Sequence, residues 1–260
     1  MATKFVVATG YDLSFDDSRI YSEVLDLSNN AFACKNKSPF AMKTEGATGA
    51  LVKGKHLICG GKYSDLYYWE CYRVTKFSTI YFMEMKSKRA YASSAVVDYN
   101  KLWMSGGKSC NSDSCILSST EYVHIDKESY SGPDLPVKMY GHVITAMNST
   151  TYIVTGGGQD SLRKTFYYSE NSQDWITGPE MNDGRRQHGA GLGTDTATSE
   201  LYIAVTGGVL NSAHYSGAMD SVEILFLGDT EWKTGKQHLF HNMGKAIGTF
   251  LKYFRTEYAK

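Results

Sequence analysis

Apolar and polar residues alternate along this chain in short runs, the period of strands with one face buried. Four such runs carry a Glu near their start: SEVLDLS around Glu23, WECYRVT around Glu70, TEYVHID around Glu121 and VEILFLG around Glu223. TFYYSE around Tyr167 has the alternation without the acid. Each follows an apolar run that ends in glycine, namely FVVATG, HLICGG, LWMSGG, YIVTGG and YIAVTGG. The closing glycines are Gly10, Gly61, Gly107, Gly157 and Gly208, spaced by 51, 46, 50 and 51 residues. That period is too long for most helical arrays. Late in each unit stands a methionine, at Met42, Met85, Met139, Met181 and Met243, followed by a small-residue run such as RAYASSAVV or RRQHGAGLG. Two units add a tryptophan, Trp175 and Trp232.

Each unit therefore predicts four short strands: one of small residues, one ending in Gly-Gly, one bearing the Glu and one bearing the Trp. The double glycine, the aromatic that follows it and the spaced tryptophan resemble the kelch repeat, over nearly the whole chain. The resemblance implies an all-β fold, a kelch-type β-propeller of four-stranded blades, as one domain over residues 1–260. Motif count gives five blades, or six if the chain lacks a repeat. The first unit starts at its glycine-ending strand, and residues 242–254, NMGKAIGTFLKYF, read as its missing small-residue strand, so the C-terminal strand closes the ring and removes an exposed edge.

The glycines also resemble phosphate-binding loops, but the spacing fails. A P-loop needs a glycine five positions before Gly107, where Leu102 stands. Gly189-Ala190-Gly191-Leu192-Gly193 places its third glycine one position early for a dinucleotide fingerprint. The glycines are instead expected to sit where the second strand ends, in positive-φ or close-approach positions.

Charge narrows the partners. Lys plus Arg and Asp plus Glu both number 27, so no basic excess points to nucleic acid or an anionic membrane surface. No apolar run is long enough to span a bilayer. The 42% hydrophobic fraction over 260 residues is enough for a core of ordinary size. The start, MATKFVVATG, reads as part of a blade rather than a signal peptide.

Among the five cysteines, Cys59 ends one strand and Cys71 begins the next, while Cys110 and Cys115 share one loop and Cys34 is left over. Two adjacent pairs resemble the disulfide pattern of secreted invertebrate kelch proteins, and sequons at Asn36 and Asn148 point the same way. Five reduced thiols in a cytoplasmic propeller read the sequence equally well, so extracellular and cytoplasmic locations both stand. Neither cysteine pair has the spacing of a zinc knuckle, and His238 with His241 lacks a third ligand, so no metal and no cofactor are expected.

Arg89, His142, Arg185, Arg186 and His188 open the small-residue strands, where the loops of a kelch ring reach the channel mouth. Two roles fit them: binding an acidic peptide, or hydrogen bonding to carbonyls at the blade ends. The once-per-unit Glu reads as structural, because a catalytic site is single. The resemblance implies a non-catalytic protein–protein interaction module, a monomer whose unidentified protein partner docks on the channel-mouth loops. The alternative is a kelch-type enzyme, a copper oxidase or one acting on a small metabolite. Against the copper chemistry, Cys71 and Tyr72 are consecutive and fall on opposite faces of a strand.

Overall fold

The computed structural model describes residues 4–12, 17–26, 33–39, 43–75, 78–158, 162–210 and 219–235, the first three ranges through their backbone. The fold is all-β. Strands β1 (Lys4–Asp12), β2 (Asp17–Asp26) and β3 (Ala33–Pro39) form a three-stranded antiparallel sheet in that order. The second sheet takes β4 (Thr48–Val52) and β5 (Lys55–Cys59), then, past a small hairpin of β6 (Lys62–Tyr63) and β7 (Leu66–Tyr67), β8 (Glu70–Val74) and β9 (Thr79–Glu84). The third contains β10 (Ser93–Val97), β11 (Lys101–Ser105), β12 (Thr120–His124) and β13 (Tyr130–Ser131), with a 3-10 turn at Asp113–Cys115 before β12. The fourth contains β14 (Val143–Ala146), β15 (Thr151–Thr155), β16 (Thr165–Ser169) and β17 (Asp174–Thr177). The fifth contains β18 (Gly189–Thr194), β19 (Leu201–Thr206), β20 (Val222–Phe226) and β21 (Lys233–Thr234). No helix among the described residues is long and apolar enough to cross a membrane.

The four-strand unit read from the sequence is thus the unit of pairing, with two adjustments. Trp175 lies in β17, but Trp232 is buried just before the two-residue β21 rather than within it. The first sheet has three strands among the described residues, and the segment expected to complete it, 242–254, lies outside them, as do His238 and His241.

First strands of successive sheets pack side by side, β4 against β10, β10 against β14 and β14 against β18. The remaining strands of each sheet follow outward, which gives a propeller-like arrangement. The second strands β11, β15 and β19 then lie between two neighbouring sheets and are buried on both faces, so each reads as a continuous apolar run rather than an alternation. On β11 the alternation survives as a division of labour: Leu102 and Met104 join Leu57, Cys59 and Val123 in one core, while Trp103 faces Tyr122, Tyr152 and Tyr168 in the next. On β15, Tyr152 and Val154 share the core of Trp103, and Ile153 turns to Met181, Ile203 and Leu225.

The double glycines lock one sheet to the next. Both members have positive φ in all four described pairs, for example 55° and 97° at Gly106 and Gly107. A Cβ on Gly106 would lie 2.5 Å from the Met139 carbonyl oxygen, and the Gly107 N–H donates to that same oxygen at 2.8 Å. Gly61 donates likewise to Arg89 and Gly157 to Arg185. Only glycine allows both the φ and the approach.

Candidate functional site: the rim where the first strands begin

Four residues lead into each first strand, and they are equivalent from sheet to sheet: Thr44-Glu45-Gly46-Ala47, Arg89-Ala90-Tyr91-Ala92, Met139-Tyr140-Gly141-His142 and Arg185-Arg186-Gln187-His188. All five sequence-selected residues, Arg89, His142, Arg185, Arg186 and His188, fall in these leads. The structure separates them by position.

The first position points inward. Arg89 is 2% exposed and Arg185 0%. Arg89 donates from Nε to Glu121 Oε1 at 2.7 Å, and from one terminal nitrogen to the carbonyls of Gly106 and Ser119 at 2.9 and 2.7 Å. Arg185 repeats the pattern on Glu223 at 2.7 Å and on the carbonyls of Gly207 and Ser221 at 3.0 and 3.2 Å. The second carboxylate oxygen of each Glu accepts a backbone N–H, from Lys86 and Asn182, both at 2.6 Å. Each guanidinium is held by charge and by hydrogen bonds, with Nε of Arg185 left buried and unpartnered among the described residues.

The Glu recurrence needs one correction. In strand register Glu121 lies opposite Met104, Glu223 opposite Val205 and Glu23 opposite Val7. Cys71 lies opposite Cys59 and Tyr72 opposite Ile58, so Tyr72 takes that slot in the second sheet and Glu70 precedes it by two. Phe166 takes it in the fourth, opposite Val154. Where the slot is aromatic, the matching lead residue carries no charge: Thr44 with Tyr72, Met139 with Phe166.

The fourth position also points inward. His142 Nε2 lies 2.9 Å from Ser105 Oγ and His188 Nε2 2.9 Å from Thr155 Oγ1, each reaching the residue before the neighbouring double glycine. Ser105 donates its own hydroxyl proton to the Ser93 carbonyl at 3.3 Å, which leaves Nε2–H as the donor toward Ser105. Burial pushes the pKa of His142 down to about 3, with Arg89 adding to it, and burial followed by Arg185 and His142 does the same at His188. Both rings are neutral at ordinary pH.

Two roles stood open for these positions, binding an acidic peptide and hydrogen bonding to carbonyls at the blade ends. Arg89, Arg185, His142 and His188 are buried cross-links between strands and sheets, because guanidinium and imidazole reach the carbonyls and hydroxyls that the double-glycine turns leave pointing inward. Of the two roles, hydrogen bonding at the sheet ends describes these four.

The second and third positions form the rim itself. At the third, Gly46, Tyr91, Gly141 and Gln187 all have positive φ, between 53° and 65°. Their backbones are chained: Tyr91 N–H donates to Gly46 at 2.7 Å, Gly141 to Tyr91 at 2.7 Å and Gln187 to Gly141 at 2.6 Å. At the second, Glu45, Ala90, Tyr140 and Arg186 stand on this fixed backbone, and here the repeat is lost. Glu45 accepts from the Tyr91 hydroxyl at 3.0 Å and lies 3.5 Å from Lys62 Nζ. Arg186 donates to the Tyr140 hydroxyl and lies 5.3 Å from the centre of that ring, with Lys108 Nζ 4.9 Å from the same centre. Lys108 also meets Asp113 at 3.1 Å. One side of the rim is a neutral Glu–Lys pair, and the other gathers two cations on one tyrosine. Of the sequence-selected five, only Arg186 belongs to this group. Glu45, Lys62, Tyr91, Lys108 and Tyr140 were missed, and their signal was variation at equivalent positions of the repeat.

The cysteine pairs sit apart from each other. Cys59 and Cys71 face one another across β5 and β8 with sulfurs 2.02 Å apart, inside the second sheet. Cys110 and Cys115 join at 2.06 Å and close the loop beside the rim, from which Asn111 accepts the Tyr67 hydroxyl at 2.8 Å. Cys34 lies on β3, described through its backbone. Among the described residues no three His, Cys, Asp or Glu side chains come together as a metal would require.

No protein-family model matches this chain, and no curated protein matches it in sequence. Solved structures do match. One reported as "Structure of YjhT" superposes with a TM-score of 0.74 at 12% identity, over 93% of this chain and 83% of that one. At that identity the likeness shows the fold, propeller-like and all-β.

Proposed function

We propose that this chain is a kelch-type β-propeller, one domain over residues 1–260, that acts as a non-catalytic protein–protein interaction module and docks its partner on the channel-mouth rim. Five blades follow from motif count, with the C-terminal strand closing the first. The observation that carries the reading is the contrast within the four-residue leads. Arg89, Arg185, His142 and His188 are buried cross-links at the first and fourth positions, while the second position varies from Glu45 to Ala90, Tyr140 and Arg186 on a backbone held by a chain of hydrogen bonds. Variation on a rigid frame is how loops acquire specificity without loss of fold. The copper oxidase alternative loses its cross-linking sulfur, since Cys71 is joined to Cys59.

The test is capture of partners by the intact protein, followed by hydrogen exchange of the purified complex. Protection concentrated in residues 43–47, 88–92, 108–116, 138–142 and 184–188 is the expected result. Protection confined to the outer strands, or turnover of a small molecule by the purified chain, would overturn it.

A further inference from the structure

Three arginines open the third and fifth sheets, and two of them are neutralised. Arg89 has Glu121 and Arg185 has Glu223. Arg186 is 8% exposed, yet among the described residues no carboxylate lies within ion-pair distance of it. Its partners are the hydroxyl and the ring face of Tyr140. One terminal nitrogen is taken by Tyr140, and Nε with the other terminal nitrogen makes no hydrogen bond among the described residues. That free edge is the side of the fork that grips a planar oxyanion with two parallel bonds.

The neighbours add to this. Lys108 stands over the same ring, and its Asp113 partner is 64% exposed and so a weak competitor for it. On the other side of the rim Glu45 is held by Tyr91 and neutralises Lys62. The arrangement is also unrepeated: no other lead places an arginine at the second position, so it serves no interval of the fold.

Resting on the interaction reading, we propose that Arg186, Tyr140 and Lys108 form a receptor for one carboxylate group, with Arg186 taking it side-on and Lys108 closing over it. The group comes from an acidic side chain of the partner or from a free small acid, and both present the same oxyanion.

The test is an NMR titration of the Arg186 Nε–H with sodium acetate, and separately with the tripeptide Gly-Glu-Gly acetylated and amidated at its ends, at constant ionic strength set by chloride. Saturable shifts in the wild type, weakened at least about tenfold in Lys108→Gln and in Tyr140→Phe, are expected. Arg186→Gln, read through the Lys108 and Tyr140 signals, is expected to lose the response. Tighter binding of the tripeptide assigns the carboxylate to a protein, and equal binding assigns it to a small acid. Shifts that chloride reproduces, or that survive all three substitutions, would overturn the site. If Arg186→Gln does not fold, the other two variants decide. A partner that protects the rim but ignores Arg186→Gln would remove this receptor and leave the interaction reading standing. Carboxylate binding in a protein that captures no partner would do the reverse.

Discussion

The third and fourth sheets fill one buried slot in opposite ways. In the third, Arg89 and Glu121 form an ion pair 2.7 Å long with side chains 1% exposed. In the fourth, the equivalent positions hold Met139 and Phe166, which pack with Trp103 and Tyr152. Both sheets pair normally, and both leads pass their carbonyl oxygen to the preceding double glycine. The ion pair is therefore one solution among others to filling the slot, consistent with the small or negative net worth of buried pairs against apolar replacements. What it does demand is completeness: a half-pair leaves a charge stranded, whereas half of an apolar pair leaves a cavity.

That difference orders the effects of substitution. The largest is expected from Glu223→Ala, which leaves Arg185 only the half-exposed Asp183 at 3.7 Å and strands two backbone N–H groups. It should cost about 3–5 kcal/mol in urea unfolding, and a loss under about 1 kcal/mol would mean the pair is solvated in solution. Next comes the exchange of one solution for the other. Arg89→Met and Glu121→Phe should each destabilise strongly alone. Together they should come within about 2 kcal/mol of the wild type, a coupling of about 2 kcal/mol or more. Additive losses would break the comparison between the two sheets.

Much of this organisation was legible in the sequence, and its limits are instructive. The period, the four-strand unit and the glycines at the end of each second strand came from local spacing, which strand geometry dictates directly. The pairing of Arg with Glu did not, because the partners lie 32 and 38 residues apart and the two recurrences were read separately. The signal was their joint replacement in the fourth unit by Met139 and Phe166. Glu70 misled for a related reason: a Glu before alternating residues looks equivalent until register places Tyr72 in the slot. Burial of Arg89 and Arg185 was hidden because a long cationic side chain beside a loop has the sequence pattern of a surface residue, and only the inward carbonyls make the interior habitable for it.

A pH-dependent effect separates the sheets that carry a fourth-position histidine from those with Ala47 and Ala92. His142 and His188 have folded pKa values near 3, below the ordinary 6.5. The unfolded chain thus binds protons that the folded chain does not. Their contribution is complete above pH 6.5 and falls as the pH drops toward 3. Urea midpoints of the wild type and of His142→Gln with His188→Gln, followed from pH 7 to pH 4, should converge as the pH falls. Parallel curves would mean that the rings are protonated in the fold.

Arg185 and Arg186 are adjacent in sequence and opposite in assignment, the first a buried cross-link and the second part of the rim. Comparing Arg185→Gln with Arg186→Gln in urea unfolding and in acetate titration therefore tests the division between frame and rim most directly. The expected result is a stability loss of about 3 kcal/mol or more with carboxylate affinity per folded molecule retained for Arg185→Gln, and under about 1 kcal/mol with affinity lost for Arg186→Gln. Equal effects of the two on stability and on binding would contradict it.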